Sequence, residues 1–127
     1  MRSEFDVKDS HRFSALVKSF YYAISGLLTA LRLGRNIKVH CLAALIVTVA
    51  GMAVSLSSIE WAILVVMIAQ VMVTELVNSS LEFVVDLVSP HYHTLAKYAK
   101  DIAAGAVLLS ASAAVIVGGL IFWPYLN

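Results

Sequence analysis

Apolar residues in the first third of the chain recur three and four positions apart, at Phe13, Leu16, Val17, Phe20, Ile24, Leu27, Leu28 and Leu31. That is the repeat of one helix face. Arg12, Ser14, Lys18, Ser19, Tyr22, Ser25 and Arg32 fall on the other face. Such a helix lies in a membrane interface with its apolar side in lipid and its cations toward headgroups, or packs that side on other protein. The pattern predicts an amphipathic surface helix over residues 11–33, after a polar lead-in.

The pattern then changes to long apolar runs over residues 37–56, 59–88 and 99–125. About 20 residues cross a hydrocarbon core, so three transmembrane helices are expected. The second run is longer than a span needs, and its last third carries Glu75, Asn78, Glu82 and Asp86. That end is expected to reach the headgroups and the water beyond. The first break, Ser55-Leu56-Ser57-Ser58, has no Lys or Arg. All nine basic residues lie up to the first turn of the first run, or just after the second break, as Lys97 and Lys100. The positive-inside rule places the N-terminus and the second break in the cytoplasm. Trp61, Trp123 and Tyr125 then form an aromatic belt at the outer interface.

Composition agrees. Of 127 residues, 61% are hydrophobic and 13% charged, roughly half the charge of a soluble domain. The length leaves one domain, 1–127, and no separate water-soluble catalytic domain. Cys41, alone in an apolar run, reads as a small buried hydrophobe. The mixed-charge start does not read as a signal peptide. No basic patch with interleaved aromatics speaks for nucleic acid.

Glu75, Asn78, Ser79, Glu82 and Asp86 share one helix face. A charge at bilayer depth costs roughly 2.5–3.5 kcal/mol on insertion scales. Two carboxylates on one buried stripe therefore point to a site more than to polar glue between helices. His91, His93, Lys97 and Lys100 supply opposite charge on the next element, with Asp101 beside Lys100. Carboxylates that hold Mg²⁺ and amines that hold phosphate make a metal–nucleotide site. For Lys97 and Lys100 alone, ordinary membrane anchoring suffices. Zinc on His91 and His93 lacks a Cys or a third close His. No Walker A sequence and no kinase Gly-rich loop occurs. Small residues at Ala103–Ala106 and Ser110–Ala113 let helices approach closely. Three helices hardly enclose a site alone, so a homo-oligomer is expected.

Glu75-x-x-Asn78-Ser79-x-x-Glu82-x-x-x-Asp86, then Tyr92-His93 and Ala96-Lys97-x-Ala99-Lys100-Asp101-x-Ala103-Ala104-Gly105-Ala106, resemble the signature of the prokaryotic diacylglycerol kinase family. The resemblance covers residues 13–119. Asn36-x-x-x-His40 and Ser89-Pro90-x-Tyr92-His93 are most similar to its Gram-positive, undecaprenol kinase-like branch. The resemblance implies an N-terminal surface helix and three transmembrane helices in a homotrimer of the bacterial cytoplasmic membrane. It implies Mg²⁺-dependent transfer of the γ-phosphoryl of ATP to undecaprenol, or to diacylglycerol. By motif, Glu75 resembles the general base, Asn78 a polar partner of the catalytic stripe and Glu82 a metal ligand. Tyr22, Glu82, Asp86, His91, Tyr92, His93, Lys100 and Asp101 resemble the ATP-binding set.

One position departs from that pattern. Gly34 stands where the resemblance implies a second metal-ligand Glu, and the nearest carboxylates in sequence are Asp9 and Glu60. Mg²⁺ readily keeps waters and phosphate oxygens, so the expectation is an impaired kinase. The alternative is a lipid-binding membrane protein that has lost catalysis.

Overall fold

The computed structural model describes the backbone of residues 4–126 and the side chains of residues 14–126. Every regular element among them is helical: α1 (Glu4–Leu33), α2 (Arg35–Val54), α3 (Ser58–Val88), α4 (Thr94–Phe122) and a 3₁₀ turn (Trp123–Tyr125). The chain divides into two compact units, Met1–Leu33 and Gly34–Asn127.

The first unit is α1. The helix begins at Glu4, so most of the polar lead-in is helical too. Arg12 and Phe13, part of the expected two-faced pattern, lie outside the described side chains. Ser19 and Thr29 turn their hydroxyls onto the carbonyls of Ala15 and Ser25, which removes a polar group from the helix surface. The stretch Ser14–Leu33 is long and apolar enough to cross a membrane. Four helices meet that criterion, against the three spans expected from the sequence.

The second unit is a three-helix bundle in which α3 packs on α4 and, less extensively, on α2. The α2–α3 connection is three residues long, and each has a task. Ser55 takes a left-handed conformation (φ 57°) and donates its N–H to the Gly51 and Met52 carbonyls, ending α2. Leu56 turns inward onto Leu64 and Ile121, with Trp61, Val117 and Phe122 around them. Ser57 caps α3 reciprocally with Glu60: the Ser57 hydroxyl accepts from the Glu60 N–H at 3.4 Å, and Glu60 Oε2 accepts from the Ser57 N–H at 2.7 Å. Tyr125 also donates to Glu60 Oε2, at 2.8 Å, and ties the C-terminal turn to the start of α3. Gly51 permits this closure, because a Cβ there would meet Leu56 Cδ1 at 2.9 Å and the Trp61 ring at 3.0 Å.

At the other end α3 runs to Val88 and α4 begins at Thr94, five residues before the apolar run suggests. The cause is His93, whose ring nitrogen Nδ1 accepts from the Leu95 N–H at 3.2 Å and caps the helix. With 31 residues, α3 is about 46 Å long, well beyond a hydrocarbon core of ~30 Å. Large apolar side chains such as Val65, Leu109, Val115 and Leu120 face outward along the bundle. Surface of that kind belongs in lipid or against another chain, and the protein is an integral membrane protein.

Candidate functional site

Polar side chains in a membrane helix must be satisfied locally or carry a function. Thr48 and Thr74 take the first course and donate to the carbonyls one turn earlier, Ala44 at 2.7 Å and Gln70 at 2.9 Å. The α3 stripe does not. Glu75 and Asn78 are among the most buried side chains of the bundle, 2% and 3% exposed. Glu75 Oε2 has no partner among the described residues, and neither has Asn78 Oδ1. The Asn78 amide donates a long hydrogen bond, 3.4 Å, to Glu82 Oε1. Glu75, Asn78 and Glu82 thus share one face over two turns, with only Asn78 and Glu82 joined, buried at Glu75 and half-buried at Glu82.

One turn further on, α3 leaves the packed region and the residues become exposed. Here a cleft of about 310 Å³ opens between the end of α3, residues 89–93 and the first two turns of α4. Asp86, His91, Tyr92, His93, Lys100 and Asp101 all line it. The Lys100 ammonium reaches across from α4 to Asp86 Oδ1 at 2.6 Å. Lys97 pairs with Asp101 along α4. The Ser89 hydroxyl donates to the His91 carbonyl at 3.0 Å and shapes the loop. The cleft therefore combines two ammonium groups, each paired with a carboxylate, two imidazoles and a phenol at the N-terminal end of α4. A helix N-terminus with cations beside it favours a phosphate group.

The six cleft residues proposed from sequence come together, and Glu75, Asn78 and Glu82 form a separate, deeper layer on the same face of α3. Tyr22 belongs to the N-terminal unit, where it is exposed with its ring edge-on to Tyr21. The cap role of His93 on α4 is absent from the sequence expectations, although its position just before a helix signals it. Lys97, expected from sequence among the cations of this end, lines the cleft and holds Asp101 there through an i, i+4 spacing.

Metal fit follows from the donor set. Among the described residues no group of three or more His, Cys, Asp or Glu side chains is placed to hold a metal ion. A centre ligated wholly by one chain does not fit. A Mg²⁺ that keeps waters and takes phosphate oxygens needs only one or two carboxylates, and Glu82, between the buried stripe and the cleft, meets that need. Gly34 offers no side chain: it is the extended residue before α2, with φ −79° and ψ 124° and no side-chain cap.

Comparison with known proteins adds the chemistry. Residues 21–122 match the model of the family described as prokaryotic diacylglycerol kinase. The undecaprenol kinase of Bacillus subtilis (strain 168) is 43% identical over 123 residues, covering 95% of this chain and 99% of that protein. A diacylglycerol kinase of Synechocystis is 47% identical over 110 residues, 86% of this chain and 63% of its own longer length. The diacylglycerol kinase of Escherichia coli (strain K12) is 29% identical over 113 residues, 89% of this chain and 93% of that protein. A buried acidic stripe below a cleft lined by lysine–aspartate pairs, on a membrane bundle that matches these proteins over most of its length, makes the chain a lipid kinase: it belongs to the prokaryotic diacylglycerol kinase family.

Proposed function

We propose that this kinase phosphorylates undecaprenol, with ATP as donor and Mg²⁺ as companion ion, at the cytoplasmic interface of a bacterial membrane. The observation that carries the reading is the buried Glu75 carboxylate with an oxygen unpartnered among the described residues, two turns below Glu82 and three below the cleft that holds Lys97 and Lys100. The choice of lipid rests on the near full-length similarity to the Bacillus subtilis enzyme.

In this reading the lipid hydroxyl oxygen attacks the γ-phosphorus and the bond to the bridging oxygen breaks. ADP departs, and the hydroxyl proton passes to Glu75. Glu75 lies about 10 Å deeper than Glu82 along α3, which suits an alcohol held in lipid while ATP enters from water. Asn78 holds Glu82 toward the metal position. Lys100 and the first amides of α4 neutralise the phosphates, and Asp86 orients Lys100. His91, Tyr92, His93 and Asp101 line the nucleotide's side of the site. Mg²⁺, held by Glu82, supplies charge neutralisation at the phosphates, which is most of the catalytic effect in such transfers. We assign α1 to the membrane surface, the N-terminus and the α3–α4 loop to the cytoplasm, the whole chain to one functional domain, and the active assembly to a homotrimer.

Gly34 removes the second carboxylate that the family pattern implies, so turnover is low. The same glycine favours a second reading, a lipid-binding protein without catalysis. The test follows labelled phosphate from Mg-ATP to undecaprenol and to a diacylglycerol, for the protein and for Gly34→Glu. Transfer to undecaprenol that rises in Gly34→Glu supports the reading. Preference for diacylglycerol overturns the substrate. Absence of transfer by both proteins leaves the lipid-binding reading in its place.

A further inference from the structure

The outward side of α3 carries a regular pattern that the buried stripe does not use. Ile59, Ile63, Val66, Gln70, Val73 and Val77 follow one another at alternating steps of four and three, and all six are exposed. This is the heptad seam of helices that pack on copies of themselves, with β-branched side chains at both of its positions. The residues that α3 buries within its own chain, Leu64, Val71, Glu75 and Asn78, lie on roughly the opposite side. The seam carries no charge, so identical copies meet along it without repulsion. Gln70 is its one polar member. Counted from Ser58 it lies about 18 Å along α3, near the middle of a hydrocarbon core ~30 Å thick. Its side chain is exposed, and the amide makes no hydrogen bond among the described residues.

A primary amide in hydrocarbon is costly without a partner, and lipid tails offer none. A second copy of the same helix does, because the amide is both donor and acceptor. Copies of a membrane protein insert in one orientation, so packing along the seam is parallel and sets each residue level with itself. Gln70 then meets Gln70. β-branched residues at both seam positions favour more than two strands, and in a closed ring each amide donates to the next copy and accepts from the one before. We propose that the Gln70 face of α3 is the contact between copies of this chain, and that a layer of Gln70 amides near the bilayer centre fixes its register. The inference names the contact surface of the homotrimer in the proposed function and rests on that assembly. Because the seam faces away from Glu75, it leaves the buried stripe clear of the contact between α3 copies.

The test uses the full chain in proteoliposomes, with Cys41→Ala so that each introduced thiol is the single cysteine. On mild oxidation Val66→Cys and Val73→Cys are expected to give disulfide-linked dimers. Leu109→Cys and Val115→Cys, equally exposed but on α4, are expected to stay unlinked. Energy transfer between labelled copies, followed as the protein is diluted in lipid, reads the strength of association. Gln70→Leu is expected to weaken it roughly threefold to twentyfold, the range of an interhelical hydrogen bond in a membrane. Gln70→Asn, which keeps an amide, retains most of it. Linking at the α4 positions in place of the seam overturns the inference. So does a seam that stays unlinked in a protein that is trimeric by light scattering, since lipid or another segment of the chain then covers it. Association that Gln70→Leu leaves unchanged overturns the role of the amide layer. A protein that is monomeric by light scattering fails the homotrimer itself, and the inference falls with it.

Discussion

Replacing Glu75 by Met is expected to remove activity and raise stability together. The side chain is 2% exposed, and one of its oxygens lacks a partner. An unsatisfied buried polar group costs about 1–3 kcal/mol, and a carboxylate at membrane depth carries an insertion penalty of roughly 2.5–3.5 kcal/mol. Met is unbranched and close to Glu in length, so it fills the same space without those costs. The two figures describe the same buried carboxylate and do not add; the smaller gives a gain of about 1–3 kcal/mol, read as an upward shift of a few degrees in the thermal transition of the detergent-solubilised protein. The same substitution removes the proposed proton acceptor, and turnover is expected to fall by about 10²–10⁴. A lower transition temperature refutes the reasoning, because Glu75 would then be held by contacts that make it structural. Retained turnover refutes the role in proton transfer.

Lys100→Ala takes the ammonium from the cleft and leaves Asp86 unpaired and solvent-exposed. The KM for ATP is expected to rise about tenfold or more, while the thermal transition stays nearly unchanged, since exposed ion pairs contribute little stability. Equal ATP affinity would remove Lys100 from the nucleotide site. Gly51→Val forces a branched side chain against Leu56 and Trp61 and costs about 1–3 kcal/mol; an unchanged melting curve would mean that the turn adjusts freely. Ser55→Gly relieves the left-handed strain at φ 57° and stabilises by up to about 1 kcal/mol. A loss of stability there would mean that the Ser55 hydroxyl has a role of its own.

How far the sequence reaches depends on whether a signal is local. The spacing of Glu75, Asn78, Glu82 and Asp86 fixes their common face once α3 is a helix, and the structure buries the first two while exposing the last. The Lys97–Asp101 pair is local in the same way. The Lys100–Asp86 pair joins residues 14 apart on different helices. Charge predicts the attraction but not that the short loop brings those two side chains together. Helix ends were read less well than helix cores. The apolar run marks α4 only from 99, whereas capping by His93 starts it at Thr94. Residues 94–98 are polar enough to read as loop and are helical because their amides find a partner. Likewise α1 extends back to Glu4, where no hydrophobic repeat marks it.

The two ends of the bundle solve opposite problems. At the α2–α3 turn polar groups pair closely: Ser57 and Glu60 cap each other, Tyr125 donates to the same Glu60 oxygen, and Leu56, Leu64 and Ile121 pack beside them. That end sets the mutual position of the three helices. Toward the other end the matching is incomplete, with Glu75 Oε2 and Asn78 Oδ1 left over in the interior. A bundle selected for stability alone has no reason to keep them, since apolar residues of similar volume cost nothing in lipid. Their retention on one stripe, directly below a cleft with ammonium groups and a helix N-terminus, is what an acid–base reaction at a membrane surface requires. The well-matched end gives the rigidity that lets the other end hold an unsatisfied carboxylate in place.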